Sequence, residues 1–219
     1  MTLVFTWAVA IPIGVYSATH QGSVGDYAFT LLGFIGVATP NFLLALVLMF
    51  FQAAWLNSPS VGGLLAPEFI GAPWSWAKVA SLLTHIWVPV VVIGTAGTAS
   101  VIRIMRGNLL DVLAQPHIRT GRAKGLKERL VVWKYGVRIA INPLVSRLGQ
   151  ELPSLLSGAV VTSIVLGLPT AGPIFLTALT TQDTYLAGAF LLLSASFLLI
   201  GNLAADIVLA WIDPRIRYE

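Results

Sequence analysis

Cysteine is absent from this chain of 219 residues, and charged residues are scarce, at 10% of the total. The absence of cysteine excludes disulfides, thiolate metal sites and cysteine nucleophiles, and it leaves the redox compartment undetermined. A soluble domain carries roughly 25% charged residues, so this chain has too few to cover a water-facing surface. Hydrophobic residues make up 57% of the chain, and its mean hydropathy is +0.85. These values predict a surface that faces lipid.

Five apolar stretches are long enough, or nearly so, to cross a bilayer as helices. A hydrocarbon core about 30 Å thick needs roughly 20 apolar residues in a helix. We therefore predict an all-α bundle of transmembrane helices, forming a single domain over residues 1–219. The predicted spans are Met1–Ala18, Leu31–Leu56, Leu82–Met105, Leu144–Leu168 and Leu186–Ile212. Four of these spans contain a proline, which a helical bundle tolerates. We predict kinks at Pro12, Pro40, Pro89 and Pro153.

Lysine and arginine are concentrated between two of these spans. Ten of the thirteen lie between Arg103 and Arg147, two lie in the C-terminal tail, and only Lys78 lies elsewhere. The positive-inside rule therefore predicts that the basic loop and the tail are cytoplasmic and that Asn57–Ser81 is external. Because the basic residues flank apolar spans, as topology determinants do, we do not expect nucleic-acid binding despite the pI near 9.7.

The basic loop carries a helical pattern that is interrupted at two positions. Pro116 ends an amphipathic extension of the preceding span, and Gly125 separates two helical runs. The second run has apolar residues at helical spacing, namely Leu126, Leu130, Trp133, Val137 and Ile141. The pattern fits a loop that docks on a soluble partner. It also fits a helix that lies on anionic lipid headgroups, which attract each basic residue by about 1 kcal/mol. The tight turn at Gly125 favours docking.

The loop resembles the cytoplasmic loop of membrane permeases in bacterial ABC importers of the dipeptide/oligopeptide/nickel family. The matching positions are Arg119-Thr120, Arg122-Ala123-Lys124-Gly125-Leu126, Glu128-Arg129, Arg138 and Pro143. Gly121 replaces the usual Ala, and Asn142 a usual Leu. Further matches lie in the last span, the tail and two earlier segments: Asn202, Asp206, Asp213–Tyr218, Thr39–Phe42 and Gly158–Val161.

The resemblance implies a multi-pass permease subunit of the bacterial inner membrane, built on a six-helix importer fold. It implies contacts with membrane lipid, a second homologous permease, two cytoplasmic ATP-binding subunits and an extracytoplasmic substrate-binding protein, and no cofactor. Peptides are the expected cargo, with nickel or another small solute as the alternative. Relative to the family pattern the chain begins at the second helix. We therefore expect a preceding helix and external segment in the complete protein.

The resemblance also assigns residues 106–143 as the loop that couples the permease to its ATPase. The residues expected to make that contact are Arg119, Thr120, Arg122, Ala123, Lys124, Gly125, Leu126, Leu130 and Pro143. The segment around Gly121 and Gly125 lacks the glycine spacing and the Lys-Ser/Thr pair of a P-loop, so we expect ATP hydrolysis on a separate chain.

Ionisable and amide side chains inside the spans are candidates for the pathway or its gate, because such groups are costly in a membrane. The candidates are Glu151, Asn202 and Asp206. Simpler roles remain open: a local pair of Glu151 with Arg147, and interhelical hydrogen bonding by Asp206. The small-residue run Gly94–Ser100 fits close helix packing or a lining of the pathway.

Two other function classes fit less well. An intramembrane enzyme needs an activated serine near a histidine, but the serines of the spans lack a G-x-S-x-G setting, and His85 is the only histidine near a span. An ion-coupled carrier or a channel needs charges near mid-membrane or inverted repeats, and the acids here lie near the predicted helix ends.

The topology can be tested with single cysteines in this cysteine-free chain. A cysteine at Lys127 should resist an impermeant thiol reagent in intact cells and react after the cells are opened. A cysteine at Glu68, in the predicted external segment, is the positive control. Labelling at position 127 in intact cells would refute the assignment.

Overall fold

A computed structural model describes residues 1–55, 61–157 and 160–212 of the chain. Within these residues every regular element is helical, so the predicted all-α class is confirmed. The C-terminal tail Asp213–Tyr218 and the first two residues of the Gly158–Val161 run lie outside the described residues.

The first half of the chain contains four helices and one 3-10 turn. Serine side chains cap two of the helices: Ser23 accepts a hydrogen bond from the Asp26 N–H at 3.1 Å, and Ser75 accepts one from the Lys78 N–H at 3.2 Å. The elements are α1 (Thr2–Thr19), α2 (Val24–Ala38), α3 (Asn41–Trp55), the 3-10 turn Pro67–Phe69, and α4 (Trp76–Leu113).

The second half begins with short helices and ends with a long one. The elements are α5 (Pro116–Ala123), α6 (Glu128–Leu130), a π-helical segment (Val131–Val137), α7 (Arg138–Ala140), α8 (Asn142–Ser157), α9 (Val160–Val165), α10 (Ala171–Thr180) and α11 (Thr184–Ile212). Of the 29 residues of α11, only Phe190, Gly201 and Ala205 are buried. Since the mean hydropathy of this helix is 2.0, its exposed surface suits lipid and not water.

Among the residues that the structure describes, three helices are long and apolar enough to cross a membrane: Thr2–Thr19, Trp76–Thr95 within α4, and Thr184–Ile212. The helices α2 and α3 pass the same test only as a pair, because they are bent by 103°. The prediction of one kinked span over Leu31–Leu56 was therefore wrong about its continuity. Pro40 disfavours a helical backbone at the residue before it, and Thr39 is extended, with φ −84° and ψ 120°.

The described residues of the predicted span Leu144–Leu168 are mostly helical. They form α8 and α9, and residues 158–159 between these helices are not described. Helices α1, α4 and α8 continue through Pro12, Pro89 and Pro153. Between α9 and α11 lies the short apolar helix α10.

Helices α1 and α4 pack closely through glycine. A Cβ atom at Gly14 would lie 2.8 Å from the Met105 Cβ, and one at Gly94 would lie 2.8 Å from Phe5 Cδ1. The Thr6 hydroxyl donates a hydrogen bond to the Gly94 carbonyl at 3.3 Å. The start of the small-residue run in α4 therefore serves helix packing, the simpler of its two interpretations.

Two hydrophobic cores pack against different parts of α4, one near its middle and one at its C-terminal end. Val88 and Val92 of α4 belong to one core, which we call the far core and which also contains Ala45, Leu166 and Leu168. The other, which we call the loop-side core, joins α1, the last four turns of α4 and the segment that follows it. Its buried members include Val15, Met105, Leu109, Ile118, Val131, Val137, Ala140 and Leu144. Helix α4 therefore connects the two cores.

Helices α8 and α11 approach each other at Gly149. A Cβ atom at this position would lie 2.6 Å from the Asn202 backbone nitrogen and 2.7 Å from its Cα. These neighbours are backbone atoms, so a larger residue could be accommodated only if one helix moved.

Replacing Gly149 with Ala should therefore destabilise the packing of α8 against α11. Overpacking typically costs about 1–3 kcal/mol, which should lower the thermal unfolding midpoint of the detergent-solubilised protein. Gly188→Ala on α11 is the matched control, because a Cβ there meets nothing within 4 Å. An unfolding midpoint of Gly149→Ala equal to that of the control would show that the helices are not this close.

Candidate functional site

The basic loop begins with α5, whose first residue is Pro116. A proline suits this position because its missing N–H would have no helical partner and its φ is already helical. The Thr120 hydroxyl donates to the Pro116 carbonyl at 3.0 Å, within the first turns of the helix. Ile118 is only 1% exposed and belongs to the loop-side core. This side chain anchors α5 to the rest of the molecule.

Gly125 ends α5 with a Schellman turn. Its φ is +75°, a left-handed conformation that glycine adopts without a Cβ penalty. The Gly125 N–H donates to the Arg122 carbonyl at 2.9 Å, and the Leu126 N–H donates to the Gly121 carbonyl at 3.2 Å. These two bonds define the motif and reverse the chain towards α6. We call residues 116–130, which comprise α5, this turn and α6, the knob.

An ion pair closes the knob across the turn. The Arg122 guanidinium donates to both carboxylate oxygens of Glu128, at 2.6 and 3.0 Å. These hydrogen bonds hold the pKa of Glu128 below its usual value, so the pair stays ionised at neutral pH. Both side chains are largely exposed, so the pair adds little to stability and mainly fixes the geometry of the turn.

The second limb of the loop differs from its predicted helix. Residues Val131–Val137 are π-helical. Because a π-helical turn holds more residues than an α-helical one, residues at α-helical spacing do not stay on one face here. Leu130 and Trp133, predicted on the apolar face, are 41% and 48% exposed. The prediction was wrong for these two residues. Val137 is buried as predicted, and Leu126 and Ile141 pack against the loop-side core. The buried residues of this limb are Val131, Val132, Gly136, Val137 and Ala140.

Three contacts attach the second limb to long helices. The Asn108 side-chain amide donates to the Ala140 carbonyl at 3.2 Å. A Cβ at Gly136 would lie 3.0 Å from Leu109 Cδ1, so this limb approaches α4 closely. The Arg138 guanidinium donates twice to the Ile212 carbonyl of α11, at 3.1 and 3.2 Å, and so caps the end of that helix.

Most predicted contact residues are brought together on the outer surface of the knob. The exposed members are Arg119, Thr120, Arg122, Ala123, Lys124, Gly125 and Leu130, and Pro143 is exposed at the start of α8. Leu126 is partly buried and packs against the loop-side core. The knob therefore presents a mostly cationic surface, with Lys127 and Arg129 also exposed and Glu128 as its one acid.

The predicted pathway residues lie on the packed helices α8 and α11. Asn202 of α11 meets Gly149 of α8, two residues before Glu151. Glu151 is half-buried, and Asp206 is exposed one turn after Asn202. The structure thus places the three candidates on one helix pair.

Sequence reasoning missed a buried ion pair between Asp26 and Arg106. The Arg106 guanidinium donates to the two Asp26 carboxylate oxygens, each at 2.9 Å, and Asp26 is 3% exposed. A signal was present, because one predicted span separates Asp26 from the external segment Asn57–Ser81, which puts Asp26 on the same side of the membrane as the basic loop and Arg106.

Residues 10–218 match the family described as "Binding-protein-dependent transport system inner membrane component". The chain belongs to this family. The match covers nearly the whole chain and confirms the resemblance read from the loop, and it makes the protein a multi-pass component of an inner membrane.

Named relatives share this extent of similarity. The chain is 37% identical over 212 residues to the Oligopeptide transport system permease protein AppB of Bacillus subtilis, covering 96% of this chain and 65% of that protein. It is 29% identical to the Dipeptide transport system permease protein DppB of Escherichia coli, covering 99% and 68%. It is 30% identical to the Oligopeptide transport system permease protein OppB of Mycobacterium bovis, covering 98% and 67%. The chain thus spans about two thirds of the length of these relatives.

The knob of this family member should depend on Ile118 much more than on Leu130. Ile118→Ala leaves a cavity in the loop-side core, and such changes typically cost about 2–5 kcal/mol. Hydrogen exchange of the amides in residues 116–130 should then become faster. Leu130→Ala removes a side chain that is already exposed and should leave exchange nearly unchanged. Equal effects of the two variants would contradict the burial described here.

Proposed function

We propose that this chain is the membrane-spanning part of the permease of an ATP-driven peptide importer. In this proposal residues 106–143 dock on a separate cytoplasmic ATPase through the knob, and ATP hydrolysis takes place on that partner. The observation that carries the proposal is the family match over residues 10–218, taken together with an exposed, rigidly anchored knob.

The anchoring of the knob supports a role in coupling. A permease without its own ATPase must receive motion through a physical element shared by both states. The knob is fixed to α4 through Ile118 and the loop-side core, while its cationic side stays exposed. A load on that side would therefore be transmitted into the long helix.

Peptides are the cargo that the relatives favour. The names of AppB, DppB and OppB refer to oligopeptide or dipeptide transport. The proposed assembly contains this permease, a second homologous permease, two ATP-binding subunits and an external binding protein that delivers the cargo. In it the knob and the C-terminal tail are cytoplasmic, and the candidates Glu151, Asn202 and Asp206 lie along or beside the pathway.

Replacing Gly125 with Val should abolish peptide uptake. Valine is β-branched and resists the left-handed conformation that the Schellman turn requires, so the knob should lose its shape. The measurements are uptake by the complete transporter in cells and the amount of ATPase that co-purifies with the permease. Wild-type uptake with undiminished ATPase association would show that the knob is not the coupling element.

Gly121→Ala is the matched control in the same knob. Gly121 has no positive φ, and a Cβ there would make an ordinary 3.5 Å contact with Leu126 Cδ1. This variant adds the apolar contact that usually accompanies a Schellman turn, so uptake should be unchanged. Loss of uptake in both variants would point to a general intolerance of side chains in the loop.

A further inference from the structure

Helix α2 packs mainly on α4, and its start also contacts Tyr16 of α1. Only Asp26 and Gly36 of its 15 residues are buried. At Gly36 a Cβ would lie 3.0 Å from Thr95 Cγ2 of α4, which is an apolar contact. At Asp26 the contact with α4 is the ion pair with Arg106. This pair therefore fixes the start of α2 to α4.

The Asp26 carboxylate is held from more than one direction. Besides the two bonds from Arg106, it accepts a hydrogen bond from the Gly22 N–H at 3.0 Å, in the turn between α1 and α2. A bidentate arginine–carboxylate pair fixes orientation as well as distance. The pair consequently links the α1–α2 turn rigidly to α4.

Arg106 also connects this turn to the knob. It follows Met105, which is fully buried in the loop-side core together with Leu109, Ile118 and Val131. The knob, the adjoining end of α4 and the end of α1 share that core. In the second helix of the bent pair, Ala45 of α3 lies in the far core with Leu166. The pair α2–α3 therefore runs between the two cores.

We propose that Asp26 and Arg106 are positioning residues for transport, whose ion pair makes the bent pair α2–α3 follow the knob-bearing end of α4. The proposal rests on the proposed function, since it concerns how a displacement of the knob reaches the membrane. Without the pair, the ATPase can still dock on the knob and hydrolyse ATP, but the start of α2 is no longer fixed to α4.

The test compares Arg106→Gln with Arg103→Gln in the complete transporter. The two arginines lie on the same helix three residues apart, but Arg103 is exposed and has no ion pair or hydrogen bond among the described residues. The measurements are peptide uptake per ATP hydrolysed and the amount of co-purifying ATPase. Arg106→Gln should lower uptake per ATP by at least about fivefold, which is the lower end of typical allosteric coupling. The amount of co-purifying ATPase should stay the same. Arg103→Gln should match the wild type.

A second variant controls for the possibility that Arg106→Gln does not fold. Arg106→Gln leaves the buried Asp26 carboxylate without its counter-charge, which is strongly destabilising in a buried pair. In the double variant Asp26→Asn/Arg106→Gln both charges are gone and the amides can still hydrogen-bond, so the protein should accumulate. Its uptake per ATP should remain low, because a neutral pair lacks the charge-assisted bonds.

Wild-type uptake per ATP in the double variant, or in Arg106→Gln, would overturn the positioning role. A wild-type protein that takes up no peptide and co-purifies with no ATPase would instead overturn the proposed function. The two failures are therefore distinguishable.

Discussion

The packing of the basic loop against the end of α4 is the interaction on which the rest of the account depends. Ile118, Val131 and Leu109 are each buried almost completely in the core that these segments share with α1. For the loop residues, which leave water on folding, each such burial stabilises by about 1.5–3 kcal/mol. A loop held this way moves with α4, whereas a loop lying on lipid headgroups would move independently of it.

Helix α4 connects this packing to distant parts of the molecule. It has 38 residues, so at 1.5 Å per residue it is about 57 Å long and extends well beyond a hydrocarbon core of about 30 Å. Its middle and its C-terminal end lie in different cores, and its glycines allow α1 to run close alongside it. Arg138 extends the same network to α11 by capping the Ile212 carbonyl. Lipid-facing helices are thereby tied to the segment that carries the knob.

The parts of this structure that follow from local chemistry were predictable from the sequence. Pro116 and Gly125 mark the limits of α5, because one lacks an N–H and the other tolerates a positive φ. The π-helical segment was not predictable, because it reflects how Gly136 approaches Leu109 across the core, and a 3.6-residue period assigned Trp133 to the wrong face. The pairing of Asp26 with Arg106 was likewise not predictable from a local pattern, because it depends on how α2 packs against α4.

The same distinction applies to the bent pair α2–α3. Pro40 correctly indicated a change of direction, but composition alone could not distinguish a kink from a bend of 103°. The residues proposed for the pathway have no local signature beyond their polarity. Their spans were predicted, but the packing of α8 against α11 that brings them together came from the structure, where Gly149 and the buried Gly201 permit the close approach.

The central claim is that the exposed side of the knob contacts an ATPase and not the lipid surface. The most direct measurement is cross-linking from a photoreactive residue at Lys124 in the assembled transporter, with one at the lipid-facing Leu203 of α11 as the control. The account predicts a cross-linked product that contains the ATPase from position 124 and none from position 203. Cross-linking from position 124 to lipid alone, with no ATPase product, would contradict it.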